Sequence, residues 1–234
     1  MRWSFEVPFE YLQQFDVDQD YLFVLSQYLV DKRYYDYVKN SSKLKILDNG
    51  ANESEFVSMD YLLRKGKELG ATILVLPDKQ FDYHTTKKML LNALENVKGI
   101  DDFRYMGVMQ GETEEEALKL EDEIIETGKV DYIGLPFKLV MKFDERFLEE
   151  AVNRSSIPIH FLGLGSIEQV KKFKSHCNIT SIDTSLPTNF AFLNSSIKED
   201  ERPPPGKIKL KEIERMSDVQ LEQLKRNISY LKNI

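Results

Sequence analysis

Six apolar runs along the chain each end on a polar residue or a turn: Leu44–Asp48, Thr72–Asp78, Tyr105–Gln110, Val130–Leu135, Ile157–Gly163 and Ile179–Asp183. Their ends fall at 48, 78, 110, 135, 163 and 183, so the gaps are 30, 32, 25, 28 and 20 residues. That period suits a short buried strand, a loop, a surface helix and a return loop. The pattern predicts an α/β fold, a (β/α)8 barrel of TIM type, trimmed or irregular if fewer than eight strands form. In such a barrel the strand ends share one face, where active sites sit. Asp48, Asp78, Gln110 and Asp183 would then meet at one pocket.

Helices are predicted between the runs. Ser54–Leu69 opens on a capping serine and stops before Gly70, and Thr85–Val97 stops before Gly99. Thr113–Thr127 carries Glu114, Glu115 and Glu116 at its start, where the helix dipole favours acids. Asp144–Asn153 and Ser166–Lys174 follow the same form. Tyr21–Ser26 reads as a first strand and Phe190–Leu193 as a short last one, which completes eight. Trp3 and Phe5 read as a plug at the bottom of the barrel. Residues 1–200 would form the barrel. Residues 201–234 would be a Pro-rich linker (Arg202 to Gly206) and a closing helix, Ser217–Lys232, on or beyond the barrel.

Composition narrows the picture. The chain has 234 residues, close to one barrel's typical size, and 41% hydrophobic content to fill a core. One cysteine, Cys177, excludes an internal disulfide and a multi-thiolate metal site, and near a helix end it reads as a small apolar filler. With no long apolar stretch and a polar N-terminus, the expectation is a soluble cytoplasmic protein with no membrane partner. The net charge of −7 conceals a basic end: from Arg202 onward eight Lys/Arg face four acids. Lys207, Lys209, Lys211 and Arg215 suit either a phosphate backbone or a solvated helix face.

The candidate chemistry starts from two carboxylates. Asp48 precedes Asn49 and Gly50, a turn that admits a ligand close to the backbone. Asp183 closes its own run. A carboxylate pair across a barrel mouth can make and break a glycosidic bond, one acid attacking the anomeric carbon and the other moving the leaving group's proton. Acids at strand ends can equally ligate a metal or cap a helix, and barrels host many chemistries. His84, His160 and His176 lack ligand spacing, and His160, inside an apolar strand, reads as a core or pocket-wall residue. Tyr28, Tyr34, Tyr35 and Tyr37 can stack on bases or pack a barrel end.

Six segments resemble, in order, those of the tRNA-guanine transglycosylases, from about Lys45 to Phe192. LDNGANESEF is similar to that family's T-D-S-G-G-F-Q, LVLPDKQFDYHTT to its strand ending in Asp, and YMGVMQG to its F-G-I-V-Q-G. YIGLP resembles its G-G-L-A, HFLGLGSIEQV its Y-L-M-G-V-G-x-P-x-D, and SIDTSLPTNFAF its F-D-C-V-L-P-T-R-x-A-R. The resemblance implies that Asp183 is the nucleophile that forms a covalent glycosyl-enzyme and Asp48 the general acid/base. It implies that Asp78 and Gln110 bind a purine-like edge, with Asn49, Gly50 and the backbone at Gly134 and Leu135 completing the pocket. Gly163 and Gly165 flank a turn able to place amides near a phosphate or simply to turn the chain. The acid/base Asp is expected to hold its proton more tightly than usual, and the nucleophile to stay ionised.

The departures steer the substrate. No cysteine or histidine follows Cys177, so the zinc-binding Cys/Cys/Cys/His cluster of the tRNA enzymes cannot be built, and no cofactor is expected. The family's two arginines after L-P-T are Asn189 and Phe192 here. The short pattern is closer to phage and bacterial relatives that insert 7-deazaguanine bases into DNA. The expected activity is a pentosyltransferase that exchanges guanine in DNA for a 7-deazaguanine (preQ0-like) base. Activity on tRNA, a non-catalytic accessory homologue and a nucleoside hydrolase are the alternatives. The expected partners are nucleic acid, DNA before tRNA, the deazaguanine base, and a second copy or a helper protein. The host's cytoplasm is the expected compartment if the chain is phage-encoded.

Overall fold

Eight parallel strands wound into one sheet carry the fold, in the order β1-β8-β7-β6-β5-β4-β3-β2. The structure is a computed structural model that describes residues 1–51, 57–164, 166–174, 176–197, 210, 213 and 215–234. The strands are β1 (Arg2–Phe5), β2 (Leu22–Val24), β3 (Lys45–Leu47), β4 (Ile73–Val75), β5 (Arg104–Val108), β6 (Tyr132–Pro136), β7 (Ile159–Leu162) and β8 (Ile179–Thr184). All six apolar runs became strands, β3 to β8. This is a TIM-type barrel, as the periodicity predicts.

Helices alternate with the strands. They are α1 (Lys32–Asn40), α2 (Met59–Leu69), α3 (Tyr83–Asn96), α4 (Glu114–Glu126), α5 (Phe137–Lys142), α6 (Glu145–Arg154), α7 (Ile167–Phe173), α8 (Leu186–Phe192) and α9 (Asp218–Asn233). The starts are capped by side chains that accept from backbone N–H groups: Asp31, Ser58, Asp82, Thr113, Asp144 and Ser217. Each satisfies an amide that the first helical turn leaves without a partner. At α9 the cap is reciprocal, because Gln220 also accepts from the Ser217 backbone N–H.

Both ends of the barrel differ from the sequence reading. Phe190–Leu193 is not a strand: Phe190 to Phe192 lie in α8. Thr184 closes β8, its Oγ1 accepts from the Leu186 N–H, and Pro187 sits in the first helical turn. There proline's fixed φ suits a helix and its missing N–H costs nothing. The first strand is Arg2–Phe5, not Tyr21–Ser26, whose core forms β2. Trp3 and Phe5 do not plug the bottom; they share one face of β1 and stack at 5.6 Å. Cys177 is exposed, not a buried filler. Tyr28 and Tyr34 are buried with Phe9 in an aromatic cluster, so for these two the packing alternative holds.

Side chains close the barrel between β1 and β2. The Gln19 amide accepts from the Phe5 N–H at 2.6 Å and donates to the Phe5 carbonyl at 2.8 Å, replacing the contacts of a neighbouring strand. Asp20 accepts from the Trp3 N–H, and Ser4 Oγ accepts from the Phe23 N–H at 2.9 Å. Gln19→Ala would orphan two buried backbone groups. Urea denaturation is expected to show a loss of about 2–4 kcal/mol, at about 1–3 kcal/mol for each unsatisfied group; a loss under about 0.5 kcal/mol would show that water repairs the seam.

Register decides what faces inward. In parallel pairs, aligned residues share a face and alternate along the strand. Ser4 aligns with Asp183, Arg2 with Ser181, His160 with Ser181, and Gly134 with His160. Val108 aligns with Gly134, and Phe23 with Ile46. This face is the barrel interior, where Phe23 lies flat on His160 at 5.2 Å. The opposite face, with Leu135, Phe161 and Ile182, meets the helices and is fully buried. Gly107 shows how tight that layer is: a Cβ there would come within 2.7 Å of Ile124. Among the described residues, no helix is long and apolar enough to cross a membrane.

Candidate active site

Because the strands are parallel, Asp48, Asp78, Gln110 and Asp183 all lie at the C-terminal end of the barrel. Asp48 and Asp78 follow β3 and β4, Gln110 follows β5, and Asp183 is the penultimate residue of β8. All four are nearly buried: 9%, 6%, 4% and 4% exposed, so Asp48 is the most open. Asp78 and Gln110 belong to one bonded group and Asp183 to another.

The first group is built on Asp78. Asn49 Nδ2 donates to Asp78 Oδ1 and Gln110 Nε2 donates to Asp78 Oδ2, each at 2.7 Å. Neither amide is free to flip. Asn49 Oδ1 accepts from the Ala51 N–H, and its Nδ2 also donates to the Leu76 carbonyl. Gln110 Oε1 accepts from the Phe81 N–H at 2.8 Å. Phe81 sits at φ 59°, a costly conformation for a bulky residue and one that collects at functional sites. Burial raises the Asp78 pKa, and the two amide donors only partly offset it. The family resemblance places this raised carboxylate in binding.

The second group is built on Asp183. His160 Nε2 lies 3.0 Å and the Gly163 N–H 3.1 Å from the same oxygen, Asp183 Oδ1. His160 Nδ1 lies 2.8 Å from Ser181 Oγ. Gly163 can aim its N–H this way because its φ is 76°, and a Cβ there would lie 2.7 Å from the Phe137 ring. That amide donates to Asp183 and so supports the carboxylate. Tyr21 packs edge-on to His160 at 6.0 Å, and burial, with the Asp183 charge nearby, holds its phenol protonated.

Asp48 bonds within its own turn. Its Oδ2 accepts from the Gly50 N–H at 3.0 Å, and its own N–H donates to the Val24 carbonyl. Gly50 takes φ 74°, as the tight-turn reading requires. Gly134 faces the interior, where a Cβ would come within 2.8 Å of Leu162 and 3.2 Å of Met106 Sδ. The Leu135 side chain faces the helices, leaving only its backbone toward the barrel end. Gly165, Lys207, Lys209 and Lys211 lie outside the described residues, and Arg215 is exposed in the segment before α9. A cavity of about 30 Å³, lined by Ser4, Gln19, Phe23 and Tyr34, lies at the β1–β2 seam, away from Asp78 and Gln110.

The histidine–serine contact escaped sequence reading. Its signal was present: Ser181 and Asp183 are two apart on one strand, and His160 falls on the neighbouring run. Only the strand register could show that the three share a face.

No family profile matches the chain, and no curated protein matches it. A solved structure that it resembles is the YdjI aldolase from Escherichia coli K12, with TM-score 0.58 over 98% of this chain and 88% of that one, at 12% identity. At that identity the likeness is one of barrel fold.

Proposed function

We propose that the barrel is a base-exchange glycosyltransferase, in which Asp183 attacks the anomeric carbon of a guanosine nucleotide and a 7-deazaguanine base replaces guanine. One observation carries the reading: the His160 and Gly163 hydrogen bonds to Asp183 both end on Oδ1. The other oxygen, Oδ2, takes none among the described residues and is left as the attacking atom. The step forms a C1′–O bond to Asp183 as the C1′–N9 bond breaks, and the base leaves with a proton from Asp48. The incoming base then gives its proton to Asp48 and displaces the carboxylate.

The Asp78 group supports a purine edge. Gln110 retains one amide hydrogen that no described residue takes, suited to a carbonyl such as guanine O6. Asp78, an acceptor at both oxygens, suits the adjacent ring N–H and amino group. A nucleotide reaches such a buried site only by leaving its stack. DNA is preferred over tRNA on the resemblance, in which Asn189 and Phe192 stand where the tRNA enzymes carry arginines.

The test offers labelled guanine to double-stranded DNA, single-stranded DNA and tRNA in parallel, with Asp183→Ala as the control. Label entering DNA and lost in the variant is the expected result. Label entering tRNA alone would overturn the choice of substrate. Release of free base with no exchange would mark a hydrolase, and silence in all arms an accessory protein. In an active enzyme, Gly134→Ala is expected to raise KM for the base by about tenfold or more, one methyl in a tight pocket being worth about 1–3 kcal/mol. An unchanged KM would place the base elsewhere.

A further inference from the structure

Ser181, His160 and Asp183 are bonded in series, an order that invites comparison with a hydrolytic triad. The geometry rules that use out. Ser181 lies two residues below Asp183 on β8, toward the barrel floor, and is 2% exposed, while His160 is 0% exposed under the flat face of Phe23. A substrate at the C-terminal end meets Asp183 first, so the serine is the deep end of the chain and the carboxylate the reactive one.

We propose that His160 is a positioning residue for Asp183, with Ser181 bonding the far nitrogen of its ring. The proposal rests on the reading of Asp183 as nucleophile. A carboxylate oxygen accepts, so His160 Nε2 must carry a proton to bond Asp183 Oδ1. In the neutral ring Nδ1 then accepts from the Ser181 hydroxyl. The two ring nitrogens are thus set apart by their neighbours. With the Gly163 amide on the same oxygen, two donors hold Oδ1, rotation of the carboxylate would break both bonds, and Oδ2 is presented in one direction. The stacked Phe23 and edge-on Tyr21 fix the plane of the ring. Attack on a sugar carbon rewards such fixed aim, because small misplacement of a reacting atom costs rate steeply.

The experiment compares wild type with His160→Gln, which keeps an N–H donor of similar reach, and His160→Phe, which keeps the stacked ring and loses the donor. Exchange kinetics are read beside ¹⁵N spectra of the wild-type histidines and thermal melts. A positioning role predicts kcat down by about 10- to 100-fold in His160→Phe with KM within about threefold, and recovery of most of kcat in His160→Gln. A His160→Phe enzyme with wild-type kcat would overturn it, as would equal losses in both variants with a raised KM and a lowered melting temperature. If His160→Phe does not fold, the Gln variant and the spectra decide. In those spectra Nε2 should carry the proton and Nδ1 none. A ring with its proton on Nδ1 and none on Nε2 would overturn the proposal. Failure of the wild type to exchange any base, with the Nε2–H tautomer seen, would instead count against the transglycosylase reading while the held carboxylate stands.

Discussion

Asp183→Asn is expected to abolish base exchange, by about 10⁴-fold or more, in a protein that still folds. The substitution is close to isosteric. The amide oxygen of asparagine can keep the bonds from His160 Nε2 and the Gly163 N–H, so the support around position 183 survives. What disappears is the second oxygen, replaced by an NH2 that cannot form a glycosyl ester. Removal of a nucleophile typically leaves only the residual rate supplied by binding and electrostatics. The measurement is the single-turnover exchange rate, with denaturing gels to trap a covalent enzyme–nucleic acid adduct. No adduct should form with Asp183→Asn. Asp48→Asn should lose less, about 10²- to 10⁴-fold, the range for a general acid or base. Retention of more than a tenth of the activity in Asp183→Asn would show that another group attacks.

Glu121→Gln is expected to stabilise the protein by about 4 kcal/mol at pH 8 and to leave stability almost unchanged at pH 4. Glu121 lies on the buried face of α4, 0% exposed, with no hydrogen-bond partner for either carboxylate oxygen among the described residues. Burial raises its pKa from 4.5 to about 8, and the positive charge of Arg154 only partly opposes that. Because the folded value lies above the unfolded one, the folded state binds more protons between them. Stability is therefore full below about pH 4.5 and falls as pH rises toward about 8. Across that window the carboxylate costs about 1.4 kcal/mol of stability for each pH step of one. Glutamine mimics the protonated acid at every pH and removes the slope. Urea denaturation of both proteins at pH 5 and pH 8 gives the difference; a gap that does not widen with pH would mean that the carboxylate reaches water or a partner.

The barrel itself was legible in the sequence at β3 to β8, because each strand is a short apolar run closed by a turn. The starts of α4, α6 and α9 were legible for a similar reason, while α2 caps on Ser58 and α3 on Asp82 rather than where the sequence reading began them. Thr113, Asp144 and Ser217 accept from amides within three residues of themselves, a local event that needs no tertiary partner. The ends of the barrel were harder. Trp-Ser-Phe at positions 3–5 and Phe-Ala-Phe at 190–192 carry the same alternation. One became a strand because β8 and the Gln19 side chain supply hydrogen bonds on both its edges, and the other a helix because Pro187 starts one.

The site divides along the same line. The sequence alone determined which residues stand at strand ends, since strand direction and period place Asp48, Asp78, Gln110 and Asp183 at one end of any parallel barrel. What each carboxylate does there was decided only by tertiary structure. Two amides from different loops converge on Asp78, burial raises that acid rather than leaving it an ordinary carboxylate, and register sets His160 and Ser181 beneath Asp183. Glu121 shows the same limit, for nothing in a Glu-rich helix announces which acid the packing will bury. A hydrogen bond between residues 21 or 32 apart depends on the relative placement of two strands, and that is settled when the sheet closes.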